Sequence, residues 1–218
     1  MDMPATPDLT LHPSWRGCTW PHPADDRAAT IMHENLTQAC ARAGLPDIAS
    51  IAGVRVMTDA LGGNSPYLSD LALRDTEAFL RLLLDGPDAH VREILRGLEA
   101  LPPETPRIEV MAALRIAKRQ AALAIALADI GGAWTLEQVT LALSGLAENA
   151  LGAAVRHLLL HACQTGRLRL RDPENPCRGS GFVVLAMGKL GARELNYSSD
   201  TVSYTHLRAH ETLSEVVC

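Results

Sequence analysis

The sequence predicts a mostly α-helical chain that ends at the start of an α/β unit. Three observations carry this reading. Alanine and leucine are abundant while aromatic residues make up only 4% of the chain, a bias toward helices and away from β-sandwiches and barrels. From Asp26 to Thr165 the apolar spacing is punctuated by helix caps and stops. From Phe182 onward a short run of β-forming residues replaces that pattern.

The elements follow in order. Residues 1–25 hold five prolines and two tryptophans, Trp15 and Trp20, and read as an extended arm anchored by its indoles. A first helix is expected from about Asp26 to Ala43, stopped by Gly44 and Pro46. A second is expected from about Asp47 to Leu61, stopped by Gly62-Gly63. The third takes Ser65 as N-cap and Pro66 at its first position and ends near Gly86. The fourth covers Pro87 to Leu101. The fifth opens on Thr105-Pro106 and runs to Asp129. Its first half is charged (Arg107, Arg115, Lys118, Arg119), and Ala121–Ala128 is apolar on all sides, so it is expected to run into the protein centre. The sixth has Thr135 and Gln138 in capping-box spacing and continues to about Thr165. Residues 166–181 read as loop. Phe182-Val183-Val184-Leu185-Ala186-Met187, bounded by Gly181 and Gly188, reads as a buried strand. The division is therefore an arm (1–25), a helical region (26–165), the start of a second unit (166–200) and a tail (201–218).

Composition excludes several function classes. At 218 residues and 47% hydrophobic content the chain is long enough to bury a core. A net charge of −5 argues against bulk electrostatic binding of nucleic acid. No apolar run reaches the roughly 18 residues of a membrane span, and Asp2 and Asp8 interrupt any secretory leader. Five cysteines without a CxxC pair read as free thiols in a reducing cytoplasm.

The chemistry concentrates in Gly188-Lys189-Leu190-Gly191-Ala192-Arg193-Glu194-Leu195-Asn196-Tyr197-Ser198-Ser199-Asp200. Glycine after an apolar run lets backbone amides approach a phosphate without a Cβ in the way, and Lys189 stands beside it. An aspartate such as Asp200 can hold a divalent metal against phosphate oxygens. The stretch is neither a P-loop nor a dinucleotide-binding fingerprint, because the glycine spacing of both is absent. Elsewhere, His157 and His161 lie four apart on a helix but lack an acidic partner, so solvated histidines are the simpler reading. Arg115, Lys118 and Arg119 could face an acidic partner, but a solvated helix face is the default reading.

Residues 181–200, GFVVLAMGKLGARELNYSSD, closely resemble the nucleotidyltransferase signature of the glutamine synthetase adenylyltransferase/adenylyl-removing enzymes. LGGNSPYLSD (61–70) and the helix Ile108–Asp129 with its following Gly-Gly-x-Trp resemble the N-terminal half of that family. The resemblance implies a polymerase-β-like nucleotidyltransferase domain whose sheet is truncated here. It also implies removal of AMP from a tyrosine of glutamine synthetase by phosphorolysis, with ATP used for the opposite reaction in the intact protein. Mg²⁺ as metal, ADP as product, a PII-type signalling protein as partner and glutamine as effector are implied in the same way. Carried over residue by residue, Gly188, Lys189 and Ser199 would contact phosphate or nucleotide, and Asp200 would be a catalytic metal ligand. Glu194 and Asn196 are expected to brace the loop.

The match departs after Asp200. The family's Ser-Asp-x-Asp places two carboxylates on one face of a strand, but Val202 stands where the second belongs, and no aspartate follows. Val202–Thr212 resembles the translation of a transposase-type sequencing-library adapter, and an isoleucine codon joined to that adapter would give Thr201. Residues 201–218 are thus expected to be foreign to the natural gene and the chain to be inactive as written. The alternative expectation is a non-catalytic helical docking module with a degenerate nucleotide pocket.

Overall fold

The computed structural model describes residues 9–102, 104–197 and 199. Their elements are helices: α1 (Asp26–Ala43), α2 (Val54–Asn64), α3 (Pro66–Arg74), α4 (Thr76–Glu99), α5 (Arg107–Ile130), α6 (Leu136–Gln164) and the single turn α7 (Gly188–Gly191), with 3₁₀ turns at Pro13–Trp15 and Ile48–Ser50.

Local chemistry sets the helix ends. The Asp25 carboxylate accepts from the Ala28 N–H at 2.9 Å, and Gly44 closes α1 in the left-handed region at φ 66°. Ser65 caps α3. The α6 start is a reciprocal capping box, with Gln138 N–H donating to Thr135 Oγ1 at 3.3 Å and Thr135 N–H donating to Gln138 Oε1 at 2.9 Å. Each such cap satisfies backbone donors that have no partner within the helix.

Several expected boundaries move. The span Asp47–Leu61 is not one helix. A 3₁₀ turn capped by Asp47 comes first, and α2 begins only after Gly53, whose φ of 86° breaks the chain direction. Gly62-Gly63 does not stop α2. A Cβ at Gly62 would lie 2.6 Å from Met32 Cβ, and one at Gly63 would lie 2.3 Å from Pro23 Cβ. These glycines let α1 and the arm approach, a requirement of packing that a reader of the sequence takes for a breaker. The third and fourth helices divide at Asp75, whose carboxylate caps α4 through Ala78 N–H at 3.1 Å. The Gly86-Pro87 pair instead kinks α4, with Gly86 at φ 80° and ψ 165°.

The core gathers around α5. Ala121, Ala124, Ile125, Leu127 and Ala128 are fully enclosed, packed between α4 and α6 with α3 alongside. Phe79, Leu82 and Leu83 of α4 are equally buried, as are Leu36 of α1 and Met57 and Leu61 of α2. The arm lies on this body. Trp15 is buried and its indole N–H donates to the Leu82 carbonyl at 3.3 Å. The Thr19 N–H donates to the Gly131 carbonyl.

The expected strand is corrected. Among the described residues no strand forms, and Phe182–Met187 is extended but exposed, with Val183 73%, Leu185 81% and Met187 84% accessible. A strand exists only by pairing with another, and the described residues supply no second one. The α/β start expected from the pattern is therefore not realised here.

The glycine contacts predict a stability contrast. Gly62→Ala pushes a methyl into α1 and should lower stability by about 1–3 kcal/mol. Gly97→Ala, with nothing within 4 Å of the added carbon, should raise it by about 0.5–1 kcal/mol through helix propensity. Urea unfolding midpoints measure both.

Candidate functional site

Residues 188–197 and 199 form a compact loop built on the last turn of α5 and the middle of α6. Gly188 opens α7 at φ 57°. The turn closes through Ala192 N–H to the Gly188 carbonyl at 2.9 Å and Glu194 N–H to the Lys189 carbonyl at 2.8 Å. Gly191 is required by a close approach, since a Cβ there would stand 2.5 Å from the Ala186 carbonyl oxygen.

Three side chains of the helical body hold this loop. Arg193 adopts a left-handed conformation at φ 60°, which an L residue takes only when surroundings enforce it. Its guanidinium makes a forked pair with Glu148 of α6, Nη2 to Oε2 at 2.7 Å and Nε to Oε1 at 3.2 Å. That geometry fixes orientation as well as charge. The fully buried Ser144 hydroxyl of α6 accepts the Leu195 N–H at 3.2 Å. At the end of α5, Asp129 faces Tyr197. Burial first, then the Asp129 carboxylate and a hydrogen bond to it, push the Tyr197 phenol well above its ordinary range.

The residues singled out in the sequence are distributed as follows. Gly188 and Lys189 stand exposed at the loop surface. The Ser199 hydroxyl accepts the Asn196 N–H at 3.2 Å, and Ser199 N–H returns to the Asn196 carbonyl at 3.3 Å. Asp200 lies outside the described residues, as does Ser198. Glu194 and Asn196 brace the loop through their backbones. Sequence reasoning missed Asp129, Ser144 and Glu148, because nothing in a helical pattern marks which polar side chain will meet a loop 45–68 residues later.

Among the described residues no group of three or more His, Cys, Asp or Glu could hold a metal ion. His157 and His161 stack with ring centroids 6.4 Å apart and gather no acidic partner. In the sequence, Asp200 is one carboxylate with Val202 two residues on. Among the described residues the loop therefore offers no cluster of metal donors, and no chemical step is routed through one.

A family model described as glutamate-ammonia ligase adenylyltransferase matches residues 56–215. This chain belongs to that family. A bifunctional glutamine synthetase adenylyltransferase/adenylyl-removing enzyme from Xanthobacter autotrophicus is 42% identical over 180 residues, covering 81% of this chain and 18% of that protein. Proteins of the same name from a Bradyrhizobium strain and Rhodopseudomonas palustris are 49% and 44% identical over 138 and 148 residues. These cover 62% and 67% of this chain but only 14% and 15% of theirs. The chain thus spans less than a fifth of the length of these curated relatives. No solved structure matches it. The family match extends beyond Asp200 to residue 215. No helix among the described residues is long and apolar enough to cross a membrane.

The loop contacts predict two outcomes. Tyr197 should ionise well above the ordinary phenol range in an ultraviolet titration, and Asp129→Asn should bring its midpoint down. The sign for stability follows. A phenol whose folded pKa is raised stabilises the fold below the unfolded value of about 10, and that contribution is lost as pH rises past it.

Proposed function

We propose that this chain is a piece of the adenylyl-removing half of a glutamine synthetase adenylyltransferase. The intact enzyme would use inorganic phosphate to attack the phosphorus of the AMP–tyrosine bond on glutamine synthetase. The P–O(Tyr) bond breaks, the tyrosine hydroxyl regains its proton, and the product is ADP. In this reading Gly188 leaves room for phosphate to meet backbone amides, and Lys189 supplies a positive charge to it. Ser199 adds a hydroxyl. Asp200 would hold Mg²⁺ together with a second carboxylate from the natural continuation, and that ion would neutralise charge developing on phosphorus. A PII-type signalling protein and glutamine as regulators, ATP in the opposing reaction, and a cytoplasmic setting belong to the same proposal.

The observation that supports this reading is the family match combined with a loop of signature sequence fastened to the helical body by Glu148 and Ser144. Val202 supports a second reading. A chain that ends its signature on one carboxylate could serve as a helical docking module with a degenerate nucleotide pocket.

An assay of phosphate-dependent AMP release from adenylylated glutamine synthetase separates the two. The chain as written should release none. A version in which the relatives' sequence replaces residues 201–218 and continues to the full domain should be active, and Asp200→Asn in it should cost about 10²–10³-fold or more. Activity of the chain as written contradicts its expected inactivity and the docking reading; an inactive continued version contradicts the enzymatic reading. Resequencing the gene past codon 200 decides whether the tail is native.

A further inference from the structure

A cleft lies between the second half of α4 and the first half of α5, away from the signature loop. Its volume is about 620 Å³, within the range of small-molecule sites. Its walls are apolar and low because alanines line them: Ile94 and Ala89 on α4, Ala113 and Ala117 on α5. The kink at Gly86-Pro87 redirects α4 at the end of this cleft.

His90 sets the cleft apart from an ordinary groove between helices. Its side chain is mostly buried, at 7% exposure, and lines the cleft; no hydrogen bond to the described residues occupies its ring nitrogens, and neither is sealed from solvent, so both are open to a ligand in the cleft. Gln120 stands beside it on α5. Its amide N–H₂ donates to Asp75 Oδ2 at 2.7 Å, which leaves its carbonyl oxygen as a second polar group at the cleft floor. Around the mouth stand Arg81, Arg92 and Arg96 against Asp85 and Glu93. Arg81 leans on Glu77 at 3.6 Å. Arg92 and Arg96 have no carboxylate within 4.0 Å among the described residues, so two guanidinium forks are free at the rim.

We propose that this cleft binds a small organic anion: a carboxylate or phosphate ester carried on a compact apolar body. The apolar body rests on the alanine walls, the anionic group meets the Arg92 and Arg96 forks, and a polar atom of the ligand pairs with His90. Arginine is suited to this role because its planar fork matches carboxylate and phosphate oxygens two at a time.

The test is titration of the whole chain with phenyl phosphate and, in parallel, benzoate, followed through the His90 ring resonances by NMR. Saturable shifts with either anion support the site, and the tighter of the two names the anionic class. Uncharged benzyl alcohol should bind at least about tenfold more weakly, a difference of about 1.4 kcal/mol. The double variant Arg92→Gln/Arg96→Gln should weaken anion binding by a similar factor, and Arg167→Gln should not. Both rim arginines are exposed, so an unchanged urea midpoint is expected and verifies that the double variant folds. Equal binding of benzyl alcohol or cationic benzylamine, no saturable His90 shift, or full affinity in the double variant overturns the proposal.

Discussion

The structure depends on burying one helix segment. Ala121–Ala128 of α5 has no polar face, and most of it is fully enclosed. Such a segment is stable only when surrounded on every side. Helices α3, α4 and α6 supply that enclosure, while small alanine side chains let their backbones approach closely. The burial also fixes the direction of α5. Its charged first half emerges at the cleft and its last turn delivers Asp129 to the signature loop.

The signature loop is consequently a dependent of the helical body. Its own hydrogen bonds are short-range turns, which alone would leave many conformations open. The forked Arg193–Glu148 pair and the Leu195 N–H on Ser144 Oγ join it to α6. Arg193 sits in the left-handed backbone region, and its forked pair with Glu148 joins that turn to α6. Under the proposed function such fixing would serve the presentation of Gly188 and Lys189 to a phosphate, since a catalytic group works best when its position is set before the reaction.

Much of the helical architecture was legible in the residues. Ser65 and Thr135 announce their helices by cap chemistry, and the all-apolar stretch of α5 announces its burial. The misreadings share a cause. Along the sequence Gly62-Gly63 and Gly86 read as local punctuation, but the first pair answers to Met32 and Pro23 across the interface, and Gly86 bends a helix that carries on. Asp75 was passed over as a boundary because a polar residue before threonine carries a weak signal. The apolar pattern at 182–187 reads validly as a strand, yet pairing is a property of two segments and the described residues supply only one. For the site, the loop's composition pointed to phosphate chemistry, while its anchors Asp129, Ser144 and Glu148 were invisible because they are set by tertiary contact.

Amide hydrogen exchange resolved by residue tests most directly whether the helical body holds the loop without a sheet. The Leu195 N–H, bonded to buried Ser144, should exchange slowly, and Ser144→Ala should release it. The amides of Val183 to Ala186, extended and exposed, should exchange at nearly the rate of an unfolded peptide. Slow exchange across 183–186 together with fast exchange at Leu195 would contradict the account, because the order would then reside in a sheet and the helical anchors would carry none of it.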